Sequence, residues 1–367
     1  MALRILIVKR DKIGDLLLTT PLFAHLREQL AGARIDVLCT DYNAWVIQGN
    51  RSVDGVFALP RIRVGRTLRV DNVPANLLMR SKLACRHYDI TLVAQGEESP
   101  RAITRAFTVR SRRVVAYAIE PHRYGRRLTD PIPPPVETMH EVDRLVELAR
   151  ILGLSIPPKL PDPEYLLPDV NRLFAERWLA QHRLDTGGYV VLGLGARRRS
   201  RQPSLAQVER WSLWMRERYG FATVLVWTPG SNENAIYPGD DAIAEPVLRM
   251  RLPHVYPYRG PVGETLGLVW HARTSIFPDS GLMHFAAASP GGVIGLFPGP
   301  RIGQPASRWS PRGKRARWIE AKRDVPSEPD DALFDKFRML LTKPSFGDVN
   351  QSAVRTESLV SDRSLIN

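Results

Sequence analysis

The chain opens on Leu3-Arg4-Ile5-Leu6-Ile7-Val8, a short and nearly continuous apolar run that reads as a strand buried on both faces of a parallel sheet. Polar residues 9–14 interrupt it, and a helical pattern then continues through Leu30. Pro21 is tolerable there only near a first turn, so a kink or restart is expected. Apolar runs at Ile35–Cys39, Ile90–Ala94 and Val114–Ala118 predict three more strands, and the helical stretches between them give a βαβ rhythm. Asp130-Pro-Ile-Pro-Pro-Pro reads as a rigid extended connector, followed by a strong helix from about Met139 to Leu152 and a proline-rich stretch from Pro157 to Pro168. A helix around Val170–His182 leads into the strand Tyr189–Leu194, and Thr223–Trp227 and Thr274–Pro278 continue a second α/β series. The prediction is two Rossmann-like, doubly wound domains, 1–165 and 166–343. Residues 344–367, polar and poor in aromatics, read as a disordered tail. The basic segment from Pro60 to Arg86 is expected as a loop or helical insertion near the mouth of the first domain.

Composition supports two cores: 367 residues with 44% hydrophobic content suffice for two α/β domains. Two cysteines, Cys39 and Cys85, sit in separate segments, which suits neither a disulfide framework nor a zinc site and fits a reducing cytoplasm. The first residues lack the order of charge and apolar core of a signal peptide, and no apolar run approaches the roughly 20 residues of a spanning helix. A soluble or peripheral protein is expected. The net charge of +14 is mostly arginine, whose planar fork suits phosphate and carboxylate. It points to an anionic partner, whether nucleic acid, a phosphorylated substrate or an anionic membrane face, with a merely solubilising surface as the plainer account. No interleaving of aromatic and basic residues supports nucleic acid.

Three segments could carry chemistry. Lys9-Arg10-Asp11-Lys12-Ile13-Gly14-Asp15 follows the first strand, at the carboxyl edge where open α/β sheets bind ligands. Asp15 falls at a helix start, where it serves either as a cap or as a base, and the helix end should hold its pKa low. Pro278-Asp279-Ser280-Gly281-Leu282-Met283-His284 is again a strand end running into a helix, whose free N–H groups bind phosphate. Alternatively Asp279 caps that helix and His284 is a core histidine. Gly193-Leu194-Gly195-Ala196-Arg197-Arg198-Arg199-Ser200-Arg201-Gln202-Pro203 fails the dinucleotide fingerprint and reads as a glycine turn with an arginine cluster, either a diphosphate site or a solvated loop. No Walker loop, nucleophile elbow or zinc-ligand spacing is present, and metal dependence is not indicated.

These residues resemble the family 9 glycosyltransferases, whose best-known members are the ADP-heptose:lipopolysaccharide heptosyltransferases. The anchors are Ile5 to Lys9 running into Ile13-Gly14-Asp15-Leu16-Leu17 and Thr20-Pro21, and Pro278 to Gly281 running into Met283-His284. Weaker matches are Ala31 to Leu38, Gln95-Gly96, His140 to Asp143, and Val226-Trp227 with Glu233 after it. The resemblance implies a GT-B architecture of two Rossmann-like domains facing across a cleft, acceptor on the first and donor on the second. It also implies inverting, metal-independent transfer without a cofactor, the donor being a nucleotide-sugar, ADP-heptose. Carried over by position, Asp15 is the base. Arg201, Glu233, Asp279, Ser280, Gly281 and His284 take the donor. Lys12, Gln95, Arg61 and Arg63, with Arg66 and Arg69 nearby, face a phosphorylated, lipid-linked glycan acceptor on the cytoplasmic side of the inner membrane. Arg201-Gln202-Pro203 departs from the family's lysine, intervening residue, tryptophan and proline, and Val93-Ala94 precede Gln95 where an acidic residue is usual. These departures leave open a different sugar donor, a protein acceptor, or a catalytically weakened binding or scaffold protein.

Overall fold

A computed structural model describes residues 2–64, 67–196, 198–231, 239–301 and 304–342. Arg66, Arg197, Glu233 and the tail 344–367 lie outside the described residues. The chain divides into two compact units: residues up to Leu166 together with Ser307–Trp309, and Leu167–Ala306 with the chain from Ser310 on.

The first unit is built on β1 (Arg4–Val8), β2 (Arg34–Thr40) and β3 (Gly55–Leu59), a two-stranded ribbon β4 (Arg63–Val64) and β5 (Thr67–Leu68), and then β6 (His87–Val93), β7 (Arg110–Tyr117) and β8 (Asp130–Ile132). Its helices are α1 (Ile13–Leu17), α2 (Thr20–Gln29), α3 (Asn72–Ala84), α4 (Pro100–Ala106) and α5 (Glu141–Glu147). Six strands form one sheet in the order β3-β2-β1-β6-β7-β8, every pair parallel. Ile5 to Val8 are fully buried, as a central strand covered on both faces requires. The expected restart at Pro21 occurs: α1 ends at Leu17 and α2 begins at Thr20, with Pro21 in its first turn, where a missing N–H costs nothing. The proline-rich connector is in fact partly a strand. β8 takes Pro131 because it lies at the sheet edge, where an absent donor faces no neighbour. The segment from Pro60 to Arg86 supplies the ribbon and α3. The helix expected from Met139 starts at Glu141, capped by the His140 side chain accepting from the Val142 N–H, and tightens into a 3-10 turn at Leu148–Leu152.

The second unit repeats this plan with α6 (Asp169–His182), β9 (Tyr189–Gly193), α7 (Leu205–Tyr219), β10 (Ala222–Val226), α8 (Asp241–Arg249), β11 (Val255–Tyr258), α9 (Val262–His271), β12 (Thr274–Pro278), α10 (Gly281–Ala288), β13 (Val293–Phe297), β14 (Ala316–Glu320) and α12 (Asp330–Leu341); the single turn α11 (Ala306–Trp309) falls between β13 and β14 in the chain but belongs mostly to the first unit. The strand order β11-β10-β9-β12-β13-β14, again all parallel, matches that of the first unit position for position. α7 is delimited as its sequence dictates: Ser204 and Gln207 close a capping box and Gly220 ends the helix in the left-handed region. Val190, Leu192, Trp211, Leu225, Ile276 and Phe337 lie in one apolar core. No described helix is long and apolar enough to cross a membrane.

Candidate active site

In both sheets the chain reverses winding direction between the first and fourth strands, β1 and β6 in one unit and β9 and β12 in the other. The connections leaving those strands diverge there, opening a crevice at the carboxyl ends. All three chemistry-bearing segments of the sequence sit on these connections.

In the first unit, β1 runs directly into Lys9, whose side chain is 1% exposed. Its Nζ lies 3.3 Å from Asp11 and 3.9 Å from Glu141 at the start of α5. Burial alone would lower the Lys9 pKa, but the charges of Asp11, Glu141 and Asp15 together outweigh it and hold the pKa above the ordinary value. Asp15 is the third residue of α1 and its Oδ2 accepts the Lys12 backbone N–H at 3.0 Å, so it does cap the helix. The expectation of a low pKa is overturned. Burial raises the Asp15 pKa, assisted by Asp11, and this exceeds the lowering by Lys9 and by the Lys12 N–H. A short helix at the bottom of a crevice desolvates a carboxylate more than its few N–H groups stabilise it.

Glu141 is held by Arg308, whose Nε and Nη2 each lie 3.1 Å from Oε2, while Nη1 reaches Glu97 at 3.1 Å. Gly96 is obligatory beside this pair, because a Cβ there would stand 2.2 Å from Glu141 Oε2. The buried Arg144 fixes the same loop by donating to the Gly96 and Val136 carbonyls, both at 2.6 Å. Lys9, Lys12, Asp15, Gln95, Arg308 and Trp309 are among the residues that line a cavity of about 490 Å³. The buried Gln95 brings an amide Nε2 with no hydrogen-bond partner. The structure therefore unites Asp15, Lys12 and Gln95. Arg61 and Arg63 do not line this cavity. Arg61 pairs with Asp41 at 2.8 Å and stacks over Tyr42, and Arg63 is exposed on the ribbon.

In the second unit, β12 ends at Pro278 and α10 begins at Gly281, with Ser280 at the N-cap. Ser280 makes no capping bond, and its buried Oγ has no partner among the described residues. The Asp279 carboxylate meets Arg201 Nη1 at 2.7 Å, both side chains being mostly buried. Arg201 is thus neither a solvated surface arginine nor an unopposed cation; Asp279 orients its guanidinium, and the Nε stays buried without a partner. Gln202, where the sequence departs from the family pattern, is structural: its Nε2 donates to Asp240 and, at 3.2 Å, to the Ala196 carbonyl, tying down the glycine turn after β9. His284 is buried one turn along α10. At the base of this crevice Gly193 admits the Phe277 ring of β12, which would lie 2.2 Å from a Cβ. Cys39 is inside β2, where burial pushes its thiol pKa up to about 12 and removes it as a nucleophile.

Lys9, Glu141 and Arg308 are site residues that the sequence motifs did not single out. The available signal for Lys9 is a lysine set directly against a fully apolar strand. For Glu141 it is the short match from His140 to Asp143.

No family model matches the chain. Its sequence is similar to lipopolysaccharide heptosyltransferase 3 of Escherichia coli strain K12, with 24% identity over 305 residues, 77% of this chain and 79% of that one. Its fold is similar to that of the E. coli heptosyltransferase WaaC with ADP, at a TM-score of 0.70 and 19% identity over 92% of this chain and 100% of the other. It is also similar to a family 9 glycosyl transferase of Veillonella parvula, at 0.76 and 16% identity over 93% and 98%. A third similar structure is the E. coli ADP-heptose heptosyltransferase II, at 0.70 and 16% over 93% and 99%. Two Rossmann-like units with these strand-end turns give the chain the GT-B fold, and the sequence likeness to a heptosyltransferase adds the glycosyltransferase class. Within that class it is family 9-like, similar in sequence and fold to the heptosyltransferases.

Proposed function

We propose that the chain is an inverting, metal-independent glycosyltransferase that moves heptose from ADP-heptose onto a lipopolysaccharide-core acceptor. The single observation that carries the reading is Asp15, a carboxylate whose pKa is raised by burial while it faces a 490 Å³ cavity lined by Lys12 and Gln95. A raised pKa makes a carboxylate a better proton acceptor, and the cavity gives an acceptor hydroxyl access to it. In the proposed reaction Asp15 takes the proton of that hydroxyl as its oxygen bonds to the anomeric carbon. The bond from that carbon to the diphosphate breaks on the opposite face, and ADP leaves with the electron pair. The leaving charge is met by the N-terminus of α10, by the Ser280 hydroxyl and by Arg201, whose remaining donors are fixed in direction by Asp279. These groups supply the positive potential that a divalent cation supplies in other transferases. Lys12 and Gln95 face the acceptor, with Arg61 and Arg63 reaching its phosphates from outside the cavity. The family resemblance assigns Glu233 the donor ribose. The sequence likeness to a lipopolysaccharide heptosyltransferase and the fold likeness to a heptosyltransferase with ADP support the choice of donor and acceptor.

The test has two readouts. Thermal melts with ADP-, UDP- and GDP-sugars should rank ADP-heptose first, because a ligand that binds only the folded state stabilises it in proportion to occupancy. Turnover on a heptose-deficient core acceptor should persist in EDTA and yield the anomer opposite to the donor's. Stabilisation by another nucleotide-sugar alone would reassign the donor, and retention of configuration would remove the direct displacement.

A further inference from the structure

The first unit carries a second, larger cavity at the opposite end of its sheet. An open cavity of about 930 Å³ lies at the amino ends of β1, β6 and β7. Arg4, Arg110, Arg112, Arg126 and Arg127 line it, against a single carboxylate, Asp89. That carboxylate is largely committed: its Oδ2 accepts the Arg4 backbone N–H at 2.9 Å and its Oδ1 lies 3.7 Å from Arg112. The Arg4 guanidinium stacks on Tyr88, and its buried Nε has no hydrogen-bond partner. Arg127 stacks on Phe107. Arg110 and Arg126 are exposed and make no ion pair among the described residues. Charge of one sign is thus gathered in a concavity whose aromatic walls hold two of the guanidinium planes in place. A solvated basic face would spread its charge over convex surface, and it would leave no arginine Nε buried without a partner.

We propose that this cavity is an anion site distinct from the transfer site, taking a phosphate-bearing ligand. Guanidinium groups prefer phosphate through paired hydrogen bonds, and the half-buried Phe107 beside them offers an edge for an apolar portion attached to it. Two sources share that chemistry, the headgroup of an anionic lipid and a soluble phosphate compound. The site does not depend on the glycosyl-transfer reading.

The charge-reversed pair R110E/R126E tests it, with two probes on the full chain: inorganic pyrophosphate by calorimetry, and flotation with vesicles of phosphatidylglycerol in phosphatidylcholine. At least one probe should bind the wild-type chain, and the double variant should bind it about tenfold or more weakly, with unchanged thermal stability because neither arginine makes an ion pair among the described residues. Binding of vesicles alone assigns the lipid source; binding of pyrophosphate alone assigns the soluble one. A matched reversal at the exposed Arg177 and Arg218 of the second unit controls for net charge. The proposal falls if neither probe binds, if R110E/R126E binds as the wild type does, or if the control pair loses as much.

Discussion

Asp15→Asn separates the chemistry of the site from its architecture. Asparagine has the same shape, and its side-chain oxygen can still accept the Lys12 N–H now made at 3.0 Å, so the start of α1 survives. What disappears is a proton acceptor. Loss of a general base costs about 10²–10⁴ in turnover, roughly 3–5 kcal/mol of barrier. Stability should move the other way. Burial raises the folded-state pKa of Asp15. Its contribution to stability is therefore fully present below the unfolded pKa and lost as pH rises through the folded pKa, at up to about 1.4 kcal/mol per pH unit. Asparagine does not titrate, so the stability of the variant relative to wild type should grow from acid to neutral pH and then level off. In a unit of this size each kcal/mol is worth about 2–4 °C in melting temperature. Two measurements on one pair of proteins suffice: initial rates of ADP release, and thermal melts across the acid-to-neutral range. Near-normal turnover in the variant would end the role of Asp15 as base. A variant melting below wild type at neutral pH would mean that the fold favours the carboxylate after all, contrary to the burial argument.

Three further outcomes follow from the same geometry. Arg201→Ala should weaken ADP binding by about tenfold or more, since it removes a charge-assisted donor from the diphosphate and leaves Asp279 facing the leaving group, and isothermal titration reads this directly. Ser280→Ala should change stability by less than about 0.5 kcal/mol, because the Oγ has no partner in the fold, while raising the dissociation constant for ADP; equal affinity would show that the hydroxyl does not meet the donor. Arg308→Ala leaves the buried Glu141 with the long 3.9 Å contact to Lys9 as its remaining ion pair among the described residues and should destabilise the first unit by about 3 kcal/mol in urea unfolding, with Arg308→Lys recovering part of the loss.

The strands flanked by strong helical patterns were legible because burial on both faces forces continuous apolar runs, as at Ile5 to Val8. The edges were not. β8 looks like a proline connector because an edge strand tolerates Pro131, and β3, at the other edge, lies among loop residues that dilute its pattern. β13 also went unread, although Val293 to Phe297 is apolar throughout, because Gly295 and the Gly291-Gly292 pair beside it read as loop. The turns at Asp15 and Asp279 could be found from local order alone. Their electrostatics could not, since the raised pKa of Asp15 depends on how deeply α1 sits at the sheet edge. The Glu141–Arg308 pair joins residues 167 positions apart, a separation across which one sequence carries no local pattern. Arg201 and Asp279 both read as donor-side residues from local order, but their ion pair does not, because spacing does not reveal which neighbour a carboxylate turns toward.

The membership of Ser307–Trp309 in the first unit has a consequence for how the protein is made. Synthesis runs from the N-terminus, and Leu166 is joined to the chain roughly 140 residues before Arg308. At about 5–20 residues per second that is a delay on the order of ten seconds. Throughout it the nascent first unit holds Glu141 without its nearest counter-charge, so the last stitch of its cavity wall is set near the end of translation. The early half of the chain waits on the late half to become fully native.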